Sequence, residues 1–317
     1  MLDNFKNEEL IQATSLKLKL SQFAVEKDLF VTKAIATLIA VEDDVFKLVF
    51  QGGTALAKAH GFVQRMSEDC DFRLTYKVST ESHKKDVKRK LLRTFRKNLL
   101  AALTDNQFEL DENSVTVRNE GQFITIRVRY PSVYSAPAGL KPYLALEFFL
   151  GEVKTPTVSC SITSLIRQTL GERVDHPTIQ VNCMSIPETA SEKWVALTRR
   201  VATAEQKDHY YDQALVRHIY DLVMINRHCP LKETEFVKLA LQVIQSDRKQ
   251  FKTHSDIYYQ DPASAIRVSL NELQNNPKWK SNWDNFMEHM VYGEKLDYEE
   301  ALQNLIFLSE LIFDEMN

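Results

Sequence analysis

The sequence is poor in glycine, with eight in 317 residues, and in cysteine, with four. Cys70, Cys160, Cys183 and Cys229 lie far apart and none belongs to a C-x-x-C pair. Neither a structural zinc site nor a disulfide framework is signalled, and a reduced, cytoplasmic setting is expected. Apolar runs such as Ala34–Val41 are too short to span a bilayer, so no membrane partner is expected. The N-terminus, MLDNFKNEELIQATSLKLKL, carries acids and lacks the apolar stretch of a secretory signal. There is no fixed-period repeat or low-complexity segment. H-E-x-x-H, G-x-S-x-G and Walker A sequences are absent, which removes the commonest metalloprotease, serine-hydrolase and P-loop readings.

What remains is a globular composition, 44% apolar and 26% charged. The net charge of −3 conceals a split: residues 185–317 hold 15 Lys+Arg against 21 Asp+Glu, leaving 25 against 22 in residues 1–184. Apolar spacing predicts helix over residues 8–41, a strand at Lys47–Gln51 ending in Gly52-Gly53, and helix over 54–63. Asp71–Tyr76 alternates as a strand does. A long basic helix is expected over 82–103, with Val87, Leu91, Leu92, Phe95 and Leu99 as its apolar stripe. Strands are expected at Val115–Val117, Phe123–Tyr130, Tyr143–Phe149 and Ile179–Val181, with a loop punctuated by Pro131, Pro137 and Gly139. Residues 151–184 are otherwise mixed. Helices are expected at 187–203, 208–227, 232–247, 263–274, 281–290 and 297–316. The fold class is α+β: a helical segment over residues 1–45 packs on a core of 46–184, and a helical domain follows over 185–317.

Three of the scarce glycines, Gly52, Gly53 and Gly61, fall close together, and Gly52-Gly53-Thr54 sits between strand and helix. Glycine lets backbone N–H groups approach an anion closely, and a helix start adds positive dipole. A plain strand–helix turn has the same pattern. Downstream, Asp69 and Asp71 are two residues apart on a strand and point to one face. Such carboxylates repel unless a cation lies between them, and Mg²⁺ takes oxygen ligands of this kind together with substrate phosphates. Solvated acids on a strand edge give the same pattern. Glu147 stands inside Leu144–Phe149, an otherwise apolar strand, where burying an unpaired carboxylate is costly. Its partner is either a metal or an arginine such as Arg127 or Arg129.

Strand, Gly-Gly-Thr, helix, D-x-D strand and a later single acid form an order that resembles the polymerase-β-type nucleotidyltransferase core. The match extends further. Phe50–Gly61 (FQGGTALAKAHG) followed by Arg65–Asp71 (RMSEDCD) resembles the AbiEii/AbiGii toxin family, as do Val25–Lys33 (VEKDLFVTK), Glu192–Arg200 (EKWVALTRR) and Arg217–Leu222 (RHIYDL). The family usually has Arg-Asp where this chain has Arg217-His218, so His218 receives no catalytic role. The resemblance covers roughly residues 20–230.

That resemblance implies phosphoryl transfer with two metal ions, Mg²⁺ or Mn²⁺, and a nucleoside triphosphate donor. It implies Asp69, Asp71 and Glu147 as metal ligands, with Glu147 also helping to deprotonate the attacking hydroxyl. Gly52, Gly53 and Thr54 would cradle the phosphates, Lys193 would contact the triphosphate, and Asp221 would support the same site. It further implies a toxin of a toxin–antitoxin or phage-defence pair, a cognate antitoxin, and an RNA acceptor, foremost the 3′ end of a tRNA. Lys84, Lys88, Arg89 and Arg93 on the basic helix are candidate RNA contacts, because Lys and Arg on phosphates supply sequence-independent affinity. A solvated helix face accounts for the same charges. Lys58 and Arg65 fit phosphate contacts or surface ion pairs. A nucleotidyltransferase acting on a small molecule or protein, and a nucleotide-binding module without turnover, are the alternative functions.

Overall fold

The computed structural model describes residues 2–77, 84–111, 113–137, 140–172, 174–250 and 256–316. Residues 82–83 of the expected basic helix, and Gly139 of the expected loop, lie outside the described residues. The fold is α+β, with a seven-stranded mixed sheet and a helical C-terminal part. The chain forms two compact units, Met1–Gly61 with Met66–Met184, and Phe62–Arg65 with Ser185–Asn317.

The first unit opens with helices α1 (Leu2–Leu18) and α2 (Gln22–Ile39), where continuous apolar spacing predicts one helix. The break is local: Lys19 takes a left-handed φ of 55°, and the Ser21 hydroxyl caps α2 by accepting from the Ala24 N–H. The strands are β1 (Phe46–Gln51), β2 (Asp69–Tyr76), β3 (Val115–Arg118), β4 (Phe123–Val128), β5 (Leu144–Leu150), β6 (Val158–Ile162) and β7 (Ile179–Cys183). Their order across the sheet is β3-β4-β5-β2-β1-β7-β6. The central pair β2–β5 is parallel, as is β1–β7, and the remaining pairings are antiparallel. Helix α3 (Gly52–Lys58) follows β1 directly and stops short of the expected residue 63; helix α4 (Lys85–Asp105) is the basic helix, and α5 (Leu165–Leu170) follows β6.

Period-two alternation divides the sheet into unlike faces. Phe46, Leu48 and Phe50 of β1, Cys70, Phe72 and Leu74 of β2, and Leu144, Leu146 and Phe148 of β5 share one apolar core with Ile35 and Leu38 of α2 and Leu92, Phe95 and Leu99 of α4. Their removal from water is the main driving force for this layer. Val87 does not join that stripe. It lies in the first turn of α4 and is exposed. The opposite face carries the intervening residues, among them Asp69, Asp71 and Glu147.

The second unit is helical: α6 (Ile186–Gln206), α7 (Val216–His228), α8 (Glu233–Gln250), α9 (Asp256–Gln260), α10 (Pro262–Asn275), α11 (Pro277–His289) and α12 (Tyr298–Met316). Caps fix the starts. Ser185 accepts from the Glu188 N–H, Asp261 from Ser264 and Asn276 from Lys278, each with proline in the first turn of its helix. Residues 208–215 are not α-helical as periodicity predicts. They form two 3₁₀ turns, and Asp212 caps the second. Helix α6 packs against α7, α8 and α10, and its Trp194 donates to the Ser309 hydroxyl at 3.1 Å. Trp279, Trp283 and Phe286 are core. On α12 the buried positions are Leu305, Leu308 and Ile312, while Phe307, expected on the apolar face, is exposed.

Candidate active site

Strand register places the acids. Asp71 and Glu147 are direct partners across the parallel pair β2–β5, and Asp69 stands opposite Ala145. Asp69, Asp71 and Glu147 therefore share one sheet face, on strands about 4.8 Å apart. Glu147 is exposed rather than buried among apolar neighbours, because its face of β5 is not the core face. Asp69 and Asp71 are half-buried.

Gly52 abuts this group. Its φ is +78°, and a Cβ there would lie 2.2 Å from Asp71 Oδ2. Only glycine meets both demands, conformation and clearance. The glycine turn and the D-x-D strand are thus in van der Waals contact. Thr54 serves the same junction from inside: its buried hydroxyl bonds the Asp69 carbonyl oxygen and, at 2.8 Å, the Ser67 hydroxyl. A phosphate contact from Thr54 then falls to its backbone N–H. Lys141 Nζ lies 3.2 Å from Asp69 Oδ1. Partial burial pulls the Lys141 ammonium down, but Asp69 beside it outweighs this and raises it above the usual lysine value.

A buried latch holds the strand entrance. Lys27 on α2 is 1% exposed, and its Nζ lies 2.5 Å from Glu68 Oε1 and 2.6 Å from the Lys141 carbonyl oxygen. The Lys141 N–H donates to the same Glu68 oxygen at 2.7 Å. Burial lowers the Lys27 ammonium, and Glu68 offsets this in part. Next to it, Asp28 accepts from Lys58 Nζ on α3 at 2.5 Å and from the Leu165 N–H at 2.6 Å. Glu26 accepts from the Val133 N–H at 2.9 Å. Glu26-Lys27-Asp28 therefore ties α2 to the loop before β5, to the approach to β2 and to α3. Lys58 is a buried ion-pair partner, not a surface one. Lys27, Glu68 and Lys141 were not legible as a set. Their partners are tens of residues away, and only the V-E-K-D run hints at them.

In the second unit Asp221 is 0% exposed and accepts from three sides. Arg65 grips it bidentately, Nε to Oδ1 and Nη2 to Oδ2, both at 2.7 Å, and Lys193 Nζ stands 2.8 Å from Oδ2. Burial pushes this carboxyl up, but Arg65 and Lys193 together hold it far below the usual aspartate range. The partners are thus not Arg217, the helical neighbour, and neither Lys193 nor Arg65 is a surface group. His218 Nδ1 is buried without a hydrogen-bond partner among the described residues. Burial, then Lys193 and Arg200, hold its imidazole well below the ordinary histidine value, so it is neutral.

On α4, Lys84, Arg89 and Arg93 are exposed and Lys88 is half-buried. Arg89 Nη2 lies 2.5 Å from Glu120 Oε1, and Lys85 Nζ lies 2.7 Å from the same oxygen. Part of the helix's charge is thereby answered within the unit.

The sequence matches the family of the Nucleotidyl transferase AbiEii toxin, Type IV TA system, over residues 37–304. The chain belongs to this AbiEii family. Membership indicates a nucleotidyltransferase toxin of a type IV toxin–antitoxin system, with a nucleoside triphosphate substrate and an antitoxin partner. AbiEii-type nucleotidyltransferases generally use a divalent metal. The residues present fit one: three carboxylates share a face, and Gly52 leaves the space against Asp71 that a Cβ would fill. None of the curated proteins matches the chain. No described helix is long and apolar enough to cross a membrane.

Proposed function

We propose that this AbiEii toxin transfers a nucleoside monophosphate from a nucleoside triphosphate to RNA, with the 3′ end of tRNA as acceptor. Extension of that end removes it from aminoacylation and stops translation. The observation that carries the reading is the register of β2 against β5, with Asp71 opposite Glu147 and Gly52 closed on Asp71.

Asp69 and Asp71 would hold Mg²⁺ or Mn²⁺, and Glu147 would complete the set. The cation supplies charge neutralisation on the triphosphate and the departing pyrophosphate. Backbone N–H groups at Gly52 and Gly53 bind phosphate oxygens. Glu147, exposed beside the pair, accepts the proton of the attacking hydroxyl. Within the second unit, Lys193 is the point charge for the triphosphate, and Asp221, gripped by Arg65, fixes where its ammonium stands. Lys84, Lys88 and Arg93 meet acceptor phosphates. Arg89 contributes only when its bond to Glu120 opens. The substrates of this reading place the reaction in the cytoplasm.

The test is incubation of the purified toxin with α-labelled nucleoside triphosphates and total RNA, followed by 3′-end sequencing. Label in tRNA, lost in Asp71→Asn, is expected. Label in protein or in a small molecule would replace the RNA acceptor. Triphosphate binding without product in any extract would leave a binding module.

A further inference from the structure

Two cysteines and a histidine, separated too widely in the chain for any ligand spacing to signal them, meet in the first unit. On the antiparallel pair β6–β7, Cys160 stands opposite Val181 and Cys183 opposite Val158. The two cysteines are therefore diagonal neighbours on one face. His60 reaches them from the turn after α3. A ring nitrogen of His60 and the two Sγ atoms all lie within 4.8 Å of one another. Tetrahedral zinc with Zn–S bonds of about 2.3 Å sets its ligand atoms roughly 3.8 Å apart, so a contraction of about 1 Å closes the set.

Two further observations fit a metal. The His60 ring hydrogen-bonds the Met184 backbone, the outer-shell bond that orients metal-bound imidazoles. Cys183 is buried in the apolar core beneath the carboxylate face, and Cys160 packs against it, so thiolates there would need a bound cation to compensate them. A dication held by two thiolates is neutral.

We propose that His60, Cys160 and Cys183 form a binding site for Zn²⁺, with solvent in the fourth position. Sulfur and imidazole ligands select zinc over the hard cations that suit Asp69 and Asp71. Binding exchanges two thiol protons for the cation. The site is a staple. Cys183 pairs with Phe50 at the end of β1, one residue before the chain enters Gln51-Gly52-Gly53, and His60 stands just past α3. Zinc would therefore fasten the far flank of the glycine turn, at His60, to the edge hairpin β6–β7, whose strand β7 already pairs with the near flank.

The test uses the full-length toxin, reduced and stripped with a chelator, titrated with Co²⁺ and then displaced with Zn²⁺. Thiolate-to-cobalt charge transfer with the intense visible bands of a tetrahedral site is expected, together with a Zn²⁺-dependent rise in Tm. Losing a ligand costs at least the ~10–100-fold in affinity that outer-shell losses cost, so Cys160→Ser and His60→Gln should weaken Co²⁺ binding by about 100-fold or more. Cys229→Ser, in the other unit, should leave it unchanged. Absence of the charge-transfer band overturns the proposal. So does a band that survives in both ligand variants, or a Cys160–Cys183 disulfide in the isolated protein that, once reduced, takes up no metal. The readout is optical and thermal, so it stands apart from whether Asp69, Asp71 and Glu147 turn over nucleotides.

Discussion

Asp71 and Asp221 are both aspartates of the same toxin, yet their surroundings are opposite. Asp71 shares an open sheet face with Asp69 and Glu147, and beside the set stands Lys141, itself partly exposed. Asp221 is sealed from water with a bidentate arginine and a lysine, all three nearly or fully buried. The first arrangement gathers three carboxylates on one accessible face. The second is complete already. A carboxylate on an accessible face can meet a ligand, whereas one enclosed by buried cations is suited to positioning them.

Changes at four places probe that contrast, and the largest effect belongs to the open face. Asp71→Asn should lower nucleotide transfer by ~10³-fold or more, about 4 kcal/mol of barrier. It should also end growth arrest on expression while leaving Tm within a degree or two. A fall in both would mean that Asp71 is structural. Asp221→Ala should differ in lowering stability as well as turnover. Stranding Arg65 and Lys193 without their anion costs about 3–5 kcal/mol of stability, read as a lower urea midpoint. The sign of its pH dependence follows from the lowered carboxyl. The stabilisation is fully present above the ordinary value of 3.8 and is lost as pH falls toward the depressed folded value. Acid unfolding of Asp221→Asn should therefore lack that part of the pH slope.

Gly52→Ala sits between these in kind. The new methyl collides with the Asp71 carboxylate at a backbone angle alanine resists. Displacing a metal ligand by about 1 Å should cost ~10²-fold in turnover, with about 1 kcal/mol or more of stability lost as well. The smallest effect is expected on α4. Lys88→Gln with Arg93→Gln should raise KM for RNA by several-fold, flatten its salt dependence by roughly one phosphate contact each, and leave KM for the nucleotide unchanged. Equal changes for both substrates would remove the helix from acceptor binding.

Elements with strong periodicity were readable from sequence. Alternation in Asp69–Tyr76 and Leu144–Leu150 is enough to put two acids on one face, and the glycine pair marks the turn beside them. What escaped has physical causes. A single left-handed Lys19 divides α1 from α2 without disturbing the apolar spacing on either side. Strand β6, Val-Ser-Cys-Ser-Ile, is an edge strand with little to bury, so its pattern is faint. Glu147 reads as buried because its sequence neighbours are apolar, yet those neighbours face the other way. Lys58 and Arg65 read as surface cations because Asp28 and Asp221, their partners, are 30 and 156 residues distant. Charge pairing over such separations leaves no local trace.

The triad Glu26-Lys27-Asp28 gives the N-terminal helix pair an unexpected standing. Three consecutive side chains of α2 tether the strand entrance, the loop before β5 and the short helix after the glycine turn. Loosening α2 would therefore release several neighbouring segments at once while leaving Asp69, Asp71 and Glu147 themselves untouched.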